Sequence, residues 1–190
     1  MKTILFILFL LPVAVLAQPE KKCDCYWNTT LEAGAIGGEK EVKPLFTLSS
    51  GWSIRNFYAG IGLGLDYYRF RSIPLFADAR FNLDKRRKGF LYARAGYNFP
   101  FSNESEINTW GPETTNEFNG GFYMDTGVGH TILTGKLNRL FISAGYSHKA
   151  ISNRIGITYP CLIPPCPENF ETYKYSMGRI TAKLGWIIGK

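Results

Sequence analysis

Apolar and polar residues alternate along most of this 190-residue chain, which is the period of a β-strand. In the clearest segment, Phe57–Tyr67, every odd-numbered residue is apolar and three of the even-numbered ones are glycine. No convincing helical period is found. The alternation predicts eight strands: Trp27–Gly37, Leu45–Ile54, Phe57–Tyr67, Leu75–Leu83, Leu91–Phe99, Phe122–Ile132, Leu140–Ser147 and Arg179–Ile188.

The polar face of these strands carries glycines and isolated charges of both signs. Repeated glycines have no clear structural purpose on a surface exposed to water. Inside a narrow barrel, however, they leave space that larger side chains would fill. A transmembrane β-barrel turns its apolar face toward lipid and its polar face inward, with strands of about nine to eleven residues. We therefore expect an all-β fold, an eight-stranded antiparallel up-and-down transmembrane β-barrel.

The lengths of the connections agree with this expectation. The links after the second, fourth and sixth strands are short, whereas two links after odd-numbered strands are long, at Ser102–Asn119 and Ser152–Glu171. Outer-membrane barrels have short periplasmic turns and longer external loops. We therefore expect these two segments to be variable outer loops.

The N-terminus predicts export. Lys2 is followed by the apolar run Ile4–Leu11 and by the small-residue sequence Val15-Leu16-Ala17, a pattern typical of a signal peptide. We expect residues 1–17 to be this signal, 18–26 a periplasmic segment, and 27–190 the barrel. An uncleaved membrane anchor is the alternative, although the run is short for spanning a bilayer.

The formal net charge of +7 would suggest nucleic acid in a cytosolic protein, but export argues against that partner. Anionic lipid head groups are more natural partners. The run Lys85-Arg86-Arg87-Lys88 falls in a predicted periplasmic turn. It is interpreted as solvated, with contact to inner-leaflet phosphates as the alternative.

Four cysteines occur in two close pairs, Cys23/Cys25 and Cys161/Cys166. An exported chain meets an oxidising compartment, so we expect Cys161 and Cys166 to form a disulfide. Zinc is the alternative, but the only histidines, His130 and His148, are distant from the cysteines in sequence. We expect no metal and no cofactor.

The stretches Gly60–Tyr68, Ile73–Phe81 and Ala95-Gly96-Tyr97 resemble outer-membrane β-barrel domain proteins common in Bacteroidota. These are similar in size to the eight-stranded OmpA-like and OmpX-like barrels. The resemblance implies an outer-membrane location, contact with outer-membrane lipids and insertion by the barrel-assembly machinery. It leaves the external partner open. Such barrels often end in an aromatic residue, whereas this chain ends Trp186-Ile187-Ile188-Gly189-Lys190.

Eight charged residues fall on the predicted inward face. Unpaired charges in a narrow lumen are costly, whereas paired and hydrogen-bonded charges are tolerated. Four acids and four bases therefore predict a network of ion pairs that plugs the barrel, and a proton or ion path is the alternative. The predicted lumen charges are Glu32, Asp66, Asp78, Arg80, Arg94, Asp125, Arg179 and Lys183.

One segment allows a catalytic interpretation. His148, followed by Ser152 and Asn153, is faintly similar to the His, Ser and Asn of lipid A deacylase barrels. The spacing differs, and no acid is placed to orient His148, as a catalytic base requires. We expect a structural or surface-interaction barrel of the outer membrane. The alternatives are a lipid A deacylase-like enzyme and a secreted soluble barrel that carries lipid.

Overall fold

The computed structural model describes residues 25–39, 41–84, 88–101, 114–135, 137–158 and 168–189. The predicted signal peptide, Cys23, and the pair Cys161/Cys166 lie outside these ranges. No helix in the described ranges is long and apolar enough to cross a membrane. The strands are β1 (Cys25–Gly37), β2 (Val42–Ile54), β3 (Phe57–Asp66), β4 (Ser72–Asn82), β5 (Gly89–Pro100), β6 (Thr114–Asn119), β7 (Gly121–Thr134), β8 (Asn138–Thr158) and β9 (Glu168–Gly189).

The strands form one closed antiparallel sheet. Each strand from β1 to β5 pairs with the next, β5 pairs with β7, and β7 pairs with β8. Pairing of β8 with β9 and of β9 with β1 completes the ring. β6 pairs with the same edge of β8 as β7 does, and only Gly120 separates the two. They share one strand position, so the barrel has eight positions and the predicted fold is confirmed.

Alternate side chains point into the barrel and out of it. In β4, Asp78 and Arg80 are buried, whereas Leu75 and Phe81 are about half exposed. Apolar residues such as Ile61 and Ile180, each 72% exposed, cover the outside. This polarity is the reverse of that of a water-soluble protein, and it is the polarity of a transmembrane β-barrel.

Aromatic pairs lie on the outer surface near both ends of the barrel. The rings of Trp27 and Trp52 meet edge to face at 4.4 Å, close to the turn between β2 and β3. Tyr97 and Phe99 meet at 5.0 Å near the opposite end. Aromatic belts at both interfaces are expected of a barrel in a bilayer. We name the first end the short-turn end and the other the long-loop end.

The sequence prediction for the long-loop end was wrong in part. Segments 114–119, 152–158 and 168–171, expected to be loop, are strand. β8 and β9 remain paired up to Thr158↔Glu168, so they extend well beyond the length that a bilayer requires. The extension of β9 is exposed on both faces from Asn169 to Lys174. Its residues therefore do not alternate in polarity, and the pattern could not reveal it.

Several inward glycines leave room for aromatic rings of the interior. A Cβ atom at Gly185 would meet the ring of Phe141, and one at Gly129 would meet the ring of Phe90. These two rings pack edge to face at 5.2 Å. The glycines of the polar face therefore make space for large side chains within a narrow bore.

Replacing Leu63 with Arg should destabilise the protein by about 2–4 kcal/mol, because the charge would sit in the lipid-facing band of β3. Leu83→Arg is the matched control: Leu83 is 60% exposed and lies just beyond β4 at the short-turn end, where the penalty falls to about 0–1 kcal/mol. Urea unfolding from lipid vesicles measures both. Equal losses would contradict the assigned lipid-facing surface.

Candidate functional site

All eight predicted lumen charges lie inside the barrel, each at most 6% exposed. The structure divides them into two clusters. The central cluster consists of Glu32, Asp78, Arg80, Arg94, Asp125 and Lys183, and the outer cluster consists of Asp66, Arg179 and a residue that the sequence analysis missed, Lys149.

Arg94 is the hub of the central cluster. Its guanidinium donates to both carboxylate oxygens of Glu32, with Nη1–Oε2 at 2.7 Å and Nη2–Oε1 at 2.6 Å. The same group lies 3.3 Å from Asp78 and 3.5 Å from Asp125. A forked contact of this kind is stronger and more directional than a single hydrogen bond. One arginine therefore ties three carboxylates together.

The other two cations complete the charge balance of the central cluster. Arg80 pairs with Asp78 at 2.6 Å and lies 3.4 Å from Glu32. Lys183 pairs with Asp125, and its Nζ is 3.9 Å from Glu32. Three acids thus face three bases. The cluster is formally neutral, which limits the electrostatic cost of burying it.

Neutral side chains also form hydrogen bonds with the carboxylates of the central cluster. Hydroxyl groups donate to each acid of the central cluster: Thr47 to Glu32 at 2.9 Å, Ser49 to Asp78 at 2.8 Å and Tyr92 to Asp125 at 3.2 Å. The ring of Tyr92 also lies 4.4 Å from Lys183 Nζ and 5.2 Å from the guanidinium of Arg94. Such contacts offset part of the desolvation cost of the ions.

The outer cluster centres on Asp66, at the end of β3. Its Oδ2 pairs with Arg179 and, at 3.1 Å, with Lys149 Nζ. The Lys149 ammonium also donates to the backbone carbonyls of Tyr68 and Phe70, at 3.0 and 2.9 Å. Lys149 therefore holds the connection between β3 and β4 in place over the long-loop end of the lumen.

A hydrophobic group covers the outer cluster. Tyr68 and Phe70 are buried together with Ile36, Leu45, Ile151 and Met177. The ring of Phe70 packs at 5.0 Å from Tyr175 of the β9 extension and at 5.5 Å from Phe118 of β6. The extended strands thus help to hold the connection in the mouth of the barrel.

Lys149 could have been found from the sequence. It continues the inward series Ser143, Gly145, Ser147, but the predicted strand ended at Ser147. The structure buries Ser147 and Lys149 fully, because β8 continues for eleven residues beyond Ser147. The missed signal was that odd-numbered residues of β8 continue to point inward beyond the expected membrane span.

The residues of the catalytic interpretation are not brought together. His148 packs on the outer face against Phe122, with ring centroids 6.5 Å apart, while Ser147 faces the interior and accepts from Arg179 at 2.9 Å. Ser152 lies four residues further along the same strand, about 13 Å from His148 at the usual rise per residue. Asn153 is fully buried. Within the described ranges, no group of three potential ligands could hold a metal ion.

No protein-family model matches the chain, and no curated protein sequence matches it. Among solved structures, the chain is similar to the outer membrane protein AlkL in lipid bilayers (TM-score 0.46, 11% identity, covering 92% of this chain and 94% of AlkL). It is also similar to the designed protein TMB2.3 (TM-score 0.39, 9% identity, covering 88% of this chain and 97% of TMB2.3). A third similar structure is the CymD monoaromatic hydrocarbon channel (TM-score 0.38, 11% identity, covering 83% of this chain and 54% of CymD). The fold assignment rests on the strand pairing of this chain itself.

Breaking the pair at the hub should be far more costly than breaking an exposed pair. Arg94→Met should cost about 3–5 kcal/mol of unfolding free energy, because it leaves buried carboxylates undercompensated. The double variant Glu32→Gln/Arg94→Met should lose less than the sum of the two single changes. The unfolding free energies of the wild type and the three variants are to be measured by urea unfolding in lipid vesicles.

The pair Lys43–Glu41, 3.1 Å apart and partly exposed, is the control for that cycle. Lys43→Met should change stability by about 1 kcal/mol or less. If Arg94→Met were no more costly than Lys43→Met, the interior would be hydrated and the ion pairs screened.

Proposed function

We propose that the protein is a small outer-membrane barrel with a structural or surface-interaction role, and that paired charges close its lumen. One observation carries the proposal: the contact between Arg94 and Glu32 joins β5 to β1. In a barrel of eight strand positions these two strands face each other, so the ion pair crosses the bore.

Other contacts support closure along the bore. Arg80 of β4 donates to Thr30 of β1 at 3.2 Å, and Lys149 of β8 reaches the connection after β3. The interior of an eight-stranded barrel is just wide enough for side chains to fill it. An ion entering this lumen would have to separate buried pairs in two successive clusters, at a high electrostatic cost.

The surface-interaction role is assigned to the extension of β6, β8 and β9 at the long-loop end. Phe170 and Tyr173 are 50% and 45% exposed there, beyond the part of β9 that pairs with β1. The proposed partners in the membrane are lipids, which contact the apolar exterior, and the barrel-assembly machinery. We assign no enzymatic activity, since His148 and Ser152 lie on one strand without a common site. We assign no nucleic-acid partner, since the N-terminal sequence predicts export.

The closed lumen predicts that the purified protein shows no sustained ionic current in planar bilayers. The variant Glu32→Ser/Arg94→Ser removes the pair that crosses the bore, and it should conduct measurably more often than the wild type. Both proteins are first shown to be folded by heat-dependent migration in gels. A steady and reproducible wild-type conductance would mean that the charges line a channel.

A further inference from the structure

A recess opens at the short-turn end of the lumen, below the central cluster. Each of the eight strand positions contributes at least one residue to its lining, so the recess is the vestibule of the bore. About 20 Å³ of it can be occupied by a water-sized group, which is room for little more than one ligand atom. A ligand would insert the tip of one polar group and leave the rest outside.

Arg139, the second residue of β8, supplies an uncommitted charge in this vestibule. Its side chain is half-buried, and no carboxylate of the described residues lies within ion-pair distance of its guanidinium. The other arginine in the lining is Arg80, which is engaged by Asp78 and Glu32. A half-buried guanidinium without a counter-ion beside a second guanidinium is unfavourable unless an anion joins it.

The remainder of the vestibule suits an anion. None of its described lining residues is acidic. Asn28 donates to Ser53 at 2.7 Å, which leaves the hydroxyl proton of Ser53 for another acceptor. The lining therefore offers donors and positive charge.

The links at the short-turn end are also basic in sequence. The three short links contain six basic residues and one acid, Asp84: the bases are Arg55, Lys85, Arg86, Arg87, Lys88 and Lys136. Clustered charge of one sign raises the local concentration of the opposite ion. The short turns of outer-membrane barrels face the periplasm, so the anion would arrive from that side.

We propose that the vestibule binds a phosphate group from the periplasmic side, with Arg139 as the residue that pairs with it. A guanidinium matches a phosphate through two parallel hydrogen bonds. The phosphate is either a free ion or part of a lipid head group. The site adjoins the central cluster through Arg80, whereas Arg139 belongs to neither cluster, and the site does not depend on the surface role assigned to the barrel.

The test uses the full chain refolded in micelles of an uncharged maltoside detergent. The urea midpoint is followed as inorganic phosphate replaces chloride at constant ionic strength. A ligand that binds only the folded state raises this midpoint in a saturable manner. The wild type should show this rise, and Arg139→Gln should weaken the apparent phosphate affinity by about tenfold or more.

Lys88→Gln is the matched control, since Lys88 is an exposed cation on the same rim, and it should change the affinity less than about twofold. Arg139→Lys keeps the charge but not the forked geometry, so its affinity should be intermediate. Both Arg139 variants should fold, because no buried acid loses its partner.

A second arm titrates short-chain phosphatidic acid into the same micelles. A response to free phosphate as well as lipid identifies a site for the phosphate group itself, and a response to the lipid alone identifies a head-group site. Each supports the proposal if Arg139→Gln weakens it. The proposal is overturned if neither probe raises the wild-type midpoint, or if Lys88→Gln loses as much affinity as Arg139→Gln.

Discussion

The closure of the sheet by pairing of β1 with β9 is the constraint on which the rest of the structure depends. Hydrocarbon offers the backbone no hydrogen-bond partner, so a sheet in a bilayer is stable only as a closed barrel. The pairing runs from Asn28↔Gly189 to Gly37↔Ile180, and it fixes which residues point inward. With eight strand positions the bore is so narrow that Arg94 reaches Glu32 on the opposite wall. The ion pairs across the bore are thus a consequence of closure.

The two clusters solve the problem of burying charge in different ways. The central cluster balances three acids against three bases. The outer cluster has one acid for two bases, and two backbone carbonyls compensate by accepting hydrogen bonds from the Lys149 ammonium. Along β4, Phe76 lies between Asp78 of the central cluster and Ser72, which also accepts from Lys149. The ring of Phe76 packs 5.9 Å from that of Tyr123, so an aromatic layer lies between the clusters.

Much of this architecture follows from periodicity alone. A period of two defines the faces of each strand, so the sequence was sufficient to predict the barrel and the inward direction of residues such as Asp78 and Arg94. It could not predict that Arg94 meets Glu32, because that contact depends on the stagger around the barrel and the reach of a long side chain. Lys149 and the extension of β9 were missed for a different reason. Where both faces of a strand are exposed to water, or a strand extends beyond the membrane, its residues need not alternate between apolar and polar. Hydrophobic alternation then no longer reveals the strand.

The central proposal is that paired charges fill the interior and exclude water from it. Hydrogen exchange of guanidinium protons, measured by NMR on protein labelled with ¹⁵N-arginine in a membrane mimetic, tests it most directly. Arg80, Arg94 and Arg179 are buried and ion-paired, whereas Arg69 and Arg154 are exposed. The account predicts slow exchange for the three buried side chains and exchange at the solvent rate for the two exposed ones. Solvent-rate exchange at Arg94 would show a water-filled bore and contradict the account.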